Sequence, residues 1–119
     1  MRLLLDECIP KRLNREFTEH EVRTVQQAGW SGLANGRLLS AAEHDFDVFI
    51  TVDQSLRFQQ DVSGFAIAVV VLEARSNDIE DLRPLVPRVR ALLAELRPGQ
   101  VILVSGEVGG WFRWFLRSE

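Results

Sequence analysis

The fold is decided by two short apolar runs that end in carboxylates, Leu3-Leu4-Leu5-Asp6-Glu7 and Val48-Phe49-Ile50-Thr51-Val52-Asp53. Runs of this length, rich in Leu, Val and Ile, are typical of strands buried on both faces of a parallel sheet. Open α/β folds bind their ligands at the carboxyl edge of such a sheet. The sequence therefore predicts that Asp6 and Asp53 lie at the edge where a functional site is expected.

Strands and helices are predicted to alternate along the whole chain. Five segments have the apolar content of strands: residues 2–5, 21–25, 48–53, 66–72 and 101–104. Three segments between them have apolar residues at helical spacing: residues 10–17, a short stretch from Asn35, and residues 79–96. This alternation predicts a single-domain α/β three-layer sandwich with a mainly parallel five-stranded sheet. In the common strand order 2-1-3-4-5, the first and third strands are neighbours, so Asp6 and Asp53 would face each other.

Composition restricts the class of protein. A chain of 119 residues with 46% hydrophobic and 26% charged residues is typical of one globular domain. The single cysteine, Cys8, excludes an internal disulfide and a cysteine-based zinc site, and it favours a reducing compartment. No apolar run reaches the roughly 20 residues of a membrane span, and no signal-peptide pattern is visible. We therefore expect a cytoplasmic protein that does not bind membranes.

The net charge of −3 gives no general sign of nucleic-acid binding, but the basic residues are unusual in kind. Of the 14 basic residues only Lys11 is a lysine, and arginine can bind phosphate with two parallel hydrogen bonds. We expect Arg37, Arg57 and Arg75 near the carboxyl edge of the sheet, where they are candidates for RNA phosphate contacts. Solvated surface charge is the alternative for each of them.

Four blocks of the sequence resemble the small stand-alone bacterial PIN-like proteins, a domain family of unknown function. They are residues 3–10, 20–25, 35–39 and 50–53, and the resemblance extends over residues 1–104. These proteins are similar to the nuclease toxins of VapC-type toxin-antitoxin pairs. The resemblance implies a PIN-like fold, a Mg or Mn site built from acids at strand ends, and ribonuclease activity. It also implies a small antitoxin protein as a partner.

The resemblance assigns roles to particular residues. Asp6 matches the acid of the first strand, and Asp53 matches the acid of a Thr-x-Asp motif. Many family members carry acids where this chain has Asn35 and Ser55. An amide can coordinate a metal through its carbonyl oxygen, but it brings no charge. The predicted metal ligands are thus Asp6, Asp53 and Asn35, with helix capping as the alternative role for Asn35.

Glu7 joins the two aspartates in the predicted catalytic set, in a supporting position. Adjacent strand residues point to opposite faces, so Glu7 and Asp6 can reach one ion only if a turn begins at Glu7. A purely structural reading is also open, in which Asp6 and Glu7 complement a helix dipole and Asp53 caps the following turn. Two functions therefore remain open: a metal-dependent ribonuclease, and a PIN-like module that binds RNA or protein without efficient catalysis.

The last segment, residues 106–119, is predicted to be a glycine-hinged aromatic tail that follows a PIN-like domain of residues 1–105. It contains large apolar residues whose burial stabilises a contact by roughly 1.5 to 3 kcal/mol each. The predicted interface residues are Trp111, Phe112, Trp114 and Phe115. We expect the tail to dock on its own domain or on a second copy of the chain, with capture by a partner protein as the alternative, and a homodimer is the resulting prediction.

Overall fold

The strands of the protein form one mixed sheet in a computed structural model that describes residues 1–56 and 61–106, and the main chain of residues 111–114. The strands are β1 (Arg2–Leu5), β2 (Glu21–Thr24), β3 (Val48–Thr51), β4 (Ala68–Glu73), β5 (Val101–Ser105) and β6 (Trp111–Trp114). Their order is β2-β1-β3-β4-β5-β6. The first five strands are parallel, and β6 is antiparallel to β5. The predicted mainly parallel sheet and the predicted order of its five strands are confirmed.

Helices cover both faces of this sheet. The α-helices are α1 (Val25–Ala28), α2 (Asn35–Ala42), α3 (Ile79–Leu82) and α4 (Val86–Leu92). Short 3-10 helices span Lys11–Phe17, Val62–Gly64, Arg83–Leu85 and Leu93–Glu95. The Lys11–Phe17 helix, α3 and α4 pack on one face, whereas α1, α2 and Val62–Gly64 pack on the other. The predicted three-layer α/β sandwich is confirmed, and it is consistent with a PIN-like architecture. Within the described ranges, no helix has the length and apolar character that a membrane span requires.

The strand β1 shows how the sequence builds two cores at once. Leu3 and Leu5 belong to the core beneath α3 and α4, and Leu4 belongs to the core beneath α2. All three side chains are fully buried. Because successive strand residues point to opposite faces, a run of three leucines requires a covering layer on each side. The carboxylate of Asp6 follows at the point where this burial ends.

The predicted helix over residues 79–96 is interrupted. Pro84 and Pro87 occupy the first turns of the Arg83–Leu85 3-10 helix and of α4. Proline lacks the N–H group that an inner helical turn needs, so the longer helix α4 starts only at Val86, which agrees with the late start predicted from the prolines, although the short α3 precedes them. Leu96 has extended backbone angles and ends the segment at Glu95, one residue before the predicted end.

Part of the aromatic tail, residues 111–114, forms strand β6 of the sheet. In the register of β6, Trp111 lies opposite Val104, Phe112 opposite Leu103, and Trp114 opposite Val101. Residues 111–114 thus extend the sheet formed by residues 1–105. Phe115 lies outside the described residues, and self-association through the tail stays a prediction.

Gly99 stands where the chain can accept only glycine without strain. Its φ of +88° is left-handed, and an added Cβ would lie 3.2 Å from the Cα and the carbonyl oxygen of Ser63. We expect Gly99→Ala to lower the free energy of unfolding by about 2 kcal/mol or more, measured by urea denaturation. Gly29 is the matched control, since its φ is also left-handed, at +82°, but a Cβ added there would have no heavy atom within 4 Å. Gly29→Ala should cost only about 1 kcal/mol, and an equal cost at both positions would show that crowding at Ser63 is unimportant.

Candidate functional site

The first and third strands bring Asp6 beside Thr51 at the carboxyl edge. Leu5 pairs with Ile50 in the parallel ladder, and the Asp6 N–H donates to the Ile50 carbonyl oxygen at 2.9 Å. The Thr51 hydroxyl then donates to Oδ2 of Asp6 at 2.6 Å. The neighbouring strands that the sequence predicted therefore place these two side chains in direct contact.

Thr51 also holds the segment that carries Asp53. Its hydroxyl oxygen accepts a hydrogen bond from the Asp53 N–H at 3.0 Å. Thr51 is fully buried, whereas Asp6 and Asp53 are half-buried, so both bonds lie at the boundary between the core and the solvent. One hydroxyl thus links the carboxylate of Asp6 to the main chain of Asp53. The sequence analysis gave Thr51 no role of its own, although it is the threonine of the Thr-x-Asp motif that ends at Asp53.

Asp53 caps the turn that follows β3. Its Oδ1 accepts from the Ser55 N–H at 3.0 Å and from the Ser55 hydroxyl at 2.6 Å. The same arrangement occurs at Asp61, whose Oδ1 accepts from the N–H and the hydroxyl of Ser63. The structural role that the sequence allowed for Asp53 is therefore present. Both of these hydrogen bonds go to Oδ1, and Oδ2 of Asp53 has no hydrogen-bond partner within residues 1–56 and 61–106.

A turn does begin directly after Asp6. The Glu7 N–H donates to Oδ1 of Asp6 at 2.8 Å, and the Ile9 N–H donates to the Asp6 carbonyl oxygen at 3.1 Å. The Glu7 side chain, however, accepts from the Gly32 N–H through Oε2 at 3.0 Å. Glu7 therefore joins the end of β1 to the loop before α2, which fits the supporting position that the sequence assigned to it.

Cys8 lies close to Asp6 and is a poor nucleophile. The residue is exposed, yet partial burial of the thiol raises its pKa, and the negative charge of Asp6 raises it further. A hydrogen bond from the Val52 N–H acts in the opposite direction and is the weaker effect. Because the thiolate is the reactive form, a raised pKa keeps Cys8 as an unreactive thiol at neutral pH.

The other predicted site residues lie apart from this hydrogen-bonded group. Asn35 is the first residue of α2, but the N-cap is Ala34 and no side chain caps the helix, so the capping role allowed for Asn35 is wrong. Arg37 is exposed in the first turn of α2. Arg75 is exposed after β4 and lines an open cleft of about 710 Å³ that also contains Glu73, Glu80 and Asp81. Arg57 lies outside the described residues.

The donor set suits a hard divalent cation, although it is small. Within the described part of the chain, no group of three or more His, Cys, Asp or Glu side chains is placed to hold a metal. Mg²⁺ is commonly bound by one or two carboxylates, with water and substrate phosphate as the remaining ligands. Each carboxylate oxygen can accept more than one bond, so the contacts of Asp6 and Asp53 leave room for an ion. Carboxylates with such free acceptor capacity are the donor type of an open Mg²⁺ or Mn²⁺ site rather than of a closed cage.

Searches for related proteins give no further assignment of the site. No protein family matches the chain, and no match to a curated protein or to a solved structure is found.

Proposed function

We propose that this protein is a metal-dependent ribonuclease that hydrolyses phosphodiester bonds at the carboxyl edge of its sheet. The observation that carries the proposal is the Thr51 hydroxyl, which bonds to the carboxylate of Asp6 and to the main chain of Asp53. Such a link orders two acids from different strands at the edge where α/β folds bind ligands. The resemblance to PIN-like proteins supports the same activity, and it suggests the toxin of a toxin-antitoxin pair.

The chemistry follows from the donor set. Asp6 and Asp53 would hold the Mg²⁺ or Mn²⁺ ion, which when bound supplies Lewis acidity and an activated water. Thr51 fixes the orientation of the Asp6 carboxylate by donating to its Oδ2. Ser55 fixes the orientation of the Asp53 carboxylate by donating to its Oδ1, which leaves Oδ2 as the oxygen available to an ion. The protein's own contribution is thus to hold each carboxylate in a fixed orientation by hydrogen bonds. These bonds oppose the repulsion between two negative charges at one edge of the sheet.

A second candidate function is an RNA- or protein-binding module without efficient catalysis. The observation in its favour is the hydroxyl of Ser55, which stands where many family members carry a further acid and is already bonded to Asp53. With fewer carboxylates, the affinity for a divalent ion is lower. This candidate predicts that the protein binds RNA equally well with and without metal and cleaves it in neither case.

The choice between the two is tested with a labelled single-stranded RNA and a matched RNA that is 2′-O-methylated throughout. We expect the purified protein to cleave both slowly with Mn²⁺ or Mg²⁺ and neither in EDTA, because an activated water does not need the 2′-hydroxyl as a nucleophile. Contaminating ribonucleases that use the 2′-hydroxyl would cleave only the unmodified RNA, without metal dependence. Binding without cleavage under every metal condition would contradict the ribonuclease proposal and favour the binding module.

A further inference from the structure

The described arginines differ in whether a carboxylate neutralises them. Arg2 at the start of β1 pairs with Glu21 at 3.4 Å, and Arg90 on α4 pairs with Glu19 at 2.6 Å. Arg83 pairs with Glu16 at 3.5 Å, between the α3 segment and the Lys11–Phe17 helix. These ion pairs join the amino end of the sheet and one helical layer, so their charges are largely offset.

Among the described cations near the carboxyl edge that have no such partner are Lys11, Arg12 and Arg37. Lys11 and Arg12 begin the 3-10 helix that follows β1, and Arg37 lies in the first turn of α2. All three are exposed, and none forms an ion pair with any residue in the described ranges. An overall charge of −3 therefore hides a group of free positive charges at one end of the molecule.

The fold puts these cations on opposite sides of the acids. The Lys11–Phe17 helix packs through Leu13 and Phe17 on the face that holds Leu5, whereas α2 packs through Leu38 on the face that holds Leu4. The Lys11–Phe17 helix starts shortly after the end of β1, and the Gly32 N–H in the loop before α2 donates to the Glu7 side chain beside Asp6, so both helices start near the carboxyl edge. Asp6 lies at the end of β1, between the two layers. A chain of phosphates that reached both groups of cations would have to cross the edge of the sheet beside Asp6.

We propose that Lys11 and Arg12 on one face, and Arg37 on the other, form a two-sided phosphate clamp for single-stranded RNA. The clamp guides one strand across the sheet edge over Asp6 and Asp53, and its catalytic purpose rests on the function proposed above. Every nucleotide of a single strand carries a phosphate, so one strand that crosses this edge can present phosphates to both sides. Arg75 shares its cleft with three carboxylates and is expected to contribute less.

The clamp is tested by binding alone, with metal removed by EDTA so that cleavage plays no part. Fluorescence anisotropy with a labelled oligouridine, repeated across a series of salt concentrations, gives the slope of log K against log salt. For each phosphate of a single strand that a variant no longer neutralises, the magnitude of that slope should fall by about 0.7. We expect a decrease of about 1.4 in the double variant Lys11→Ala/Arg12→Ala and of about 0.7 in Arg37→Ala. Both should weaken binding at low salt by several-fold or more, with unchanged circular dichroism.

Arg97→Ala is the matched control, since Arg97 is also exposed and unpaired within the described residues but precedes the amino end of β5. It should leave affinity and slope unchanged. An equally large effect in the control would overturn the clamp, because binding would then follow total charge. Tighter binding of a duplex of the same length would overturn the single-stranded preference. Normal binding with no cleavage in Mn²⁺ would leave the clamp standing and reject the ribonuclease proposal.

Discussion

The Asp53→Asn variant is expected to lose at least about 100-fold in metal-dependent RNA cleavage while remaining folded. The asparagine side-chain oxygen can still accept from the N–H and hydroxyl of Ser55, so the turn after β3 is preserved. The negative charge of the side chain is lost, together with the oxygen that has no partner among the described residues. The free energy of unfolding should change by less than about 1 kcal/mol, because the hydrogen bonds that hold the turn survive. Initial cleavage rates in Mn²⁺ and a urea denaturation curve measure the two effects.

Asp61→Asn is the control for this variant, because Asp61 and Ser63 repeat the hydrogen bonds of Asp53 and Ser55 at another turn. It should change stability by a similar small amount and leave cleavage intact.

Asp6→Asn should also abolish cleavage, but it is a less clean test. Both oxygens of Asp6 accept hydrogen bonds, from Thr51 and Glu7, and an amide can accept only through one. Full activity in Asp53→Asn would contradict the metal site.

Thr51→Val is expected to lower both stability and activity. Valine has nearly the same shape but no hydroxyl, so Oδ2 of Asp6 and the N–H of Asp53 each lose their partner. Asp6 and Asp53 are half-buried, so leaving these groups unsatisfied should cost about 1 kcal/mol, the low end of the range for buried groups, which urea denaturation would detect. Cleavage should fall by about 10- to 100-fold, since the two acids lose the link that sets their relative position.

Thr51→Ser separates the hydroxyl from the rest of the side chain. Serine keeps both hydrogen bonds and removes one methyl group, so it should retain most of the cleavage activity while losing about 1 kcal/mol of stability. If valine and serine reduced cleavage equally, the effect would come from packing in the core and the linking role of the hydroxyl would be refuted. Lost cleavage in Thr51→Ser, which keeps both hydrogen bonds, would likewise refute the linking role even if its stability were normal.

The parallel strands were predictable because each strand carries its signal locally, and their order followed from the common order of doubly wound sheets. Leu3-Leu4-Leu5 is apolar over consecutive residues, which only a strand covered on both faces accommodates, and the structure confirms β1 at Arg2–Leu5. The late start of α4 followed in the same way from Pro84 and Pro87, since proline acts on its own turn of helix. The role of Asn35 was less predictable, because helix capping depends on which residue has extended backbone angles, and here that residue is Ala34.

By itself the sequence determined the α/β class, the neighbouring positions of β1 and β3, and the presence of two acids at their carboxyl ends. These follow from hydrophobic pattern and chain alternation, which act over short stretches. Only the tertiary structure decided that the Thr51 hydroxyl joins Asp6 to Asp53, and that residues 111–114 add a sixth strand to the sheet. Those contacts link residues as far apart as 45 positions in the sequence. Hydrogen bonds between such distant residues depend on strand register and side-chain direction, and a local sequence pattern does not determine either.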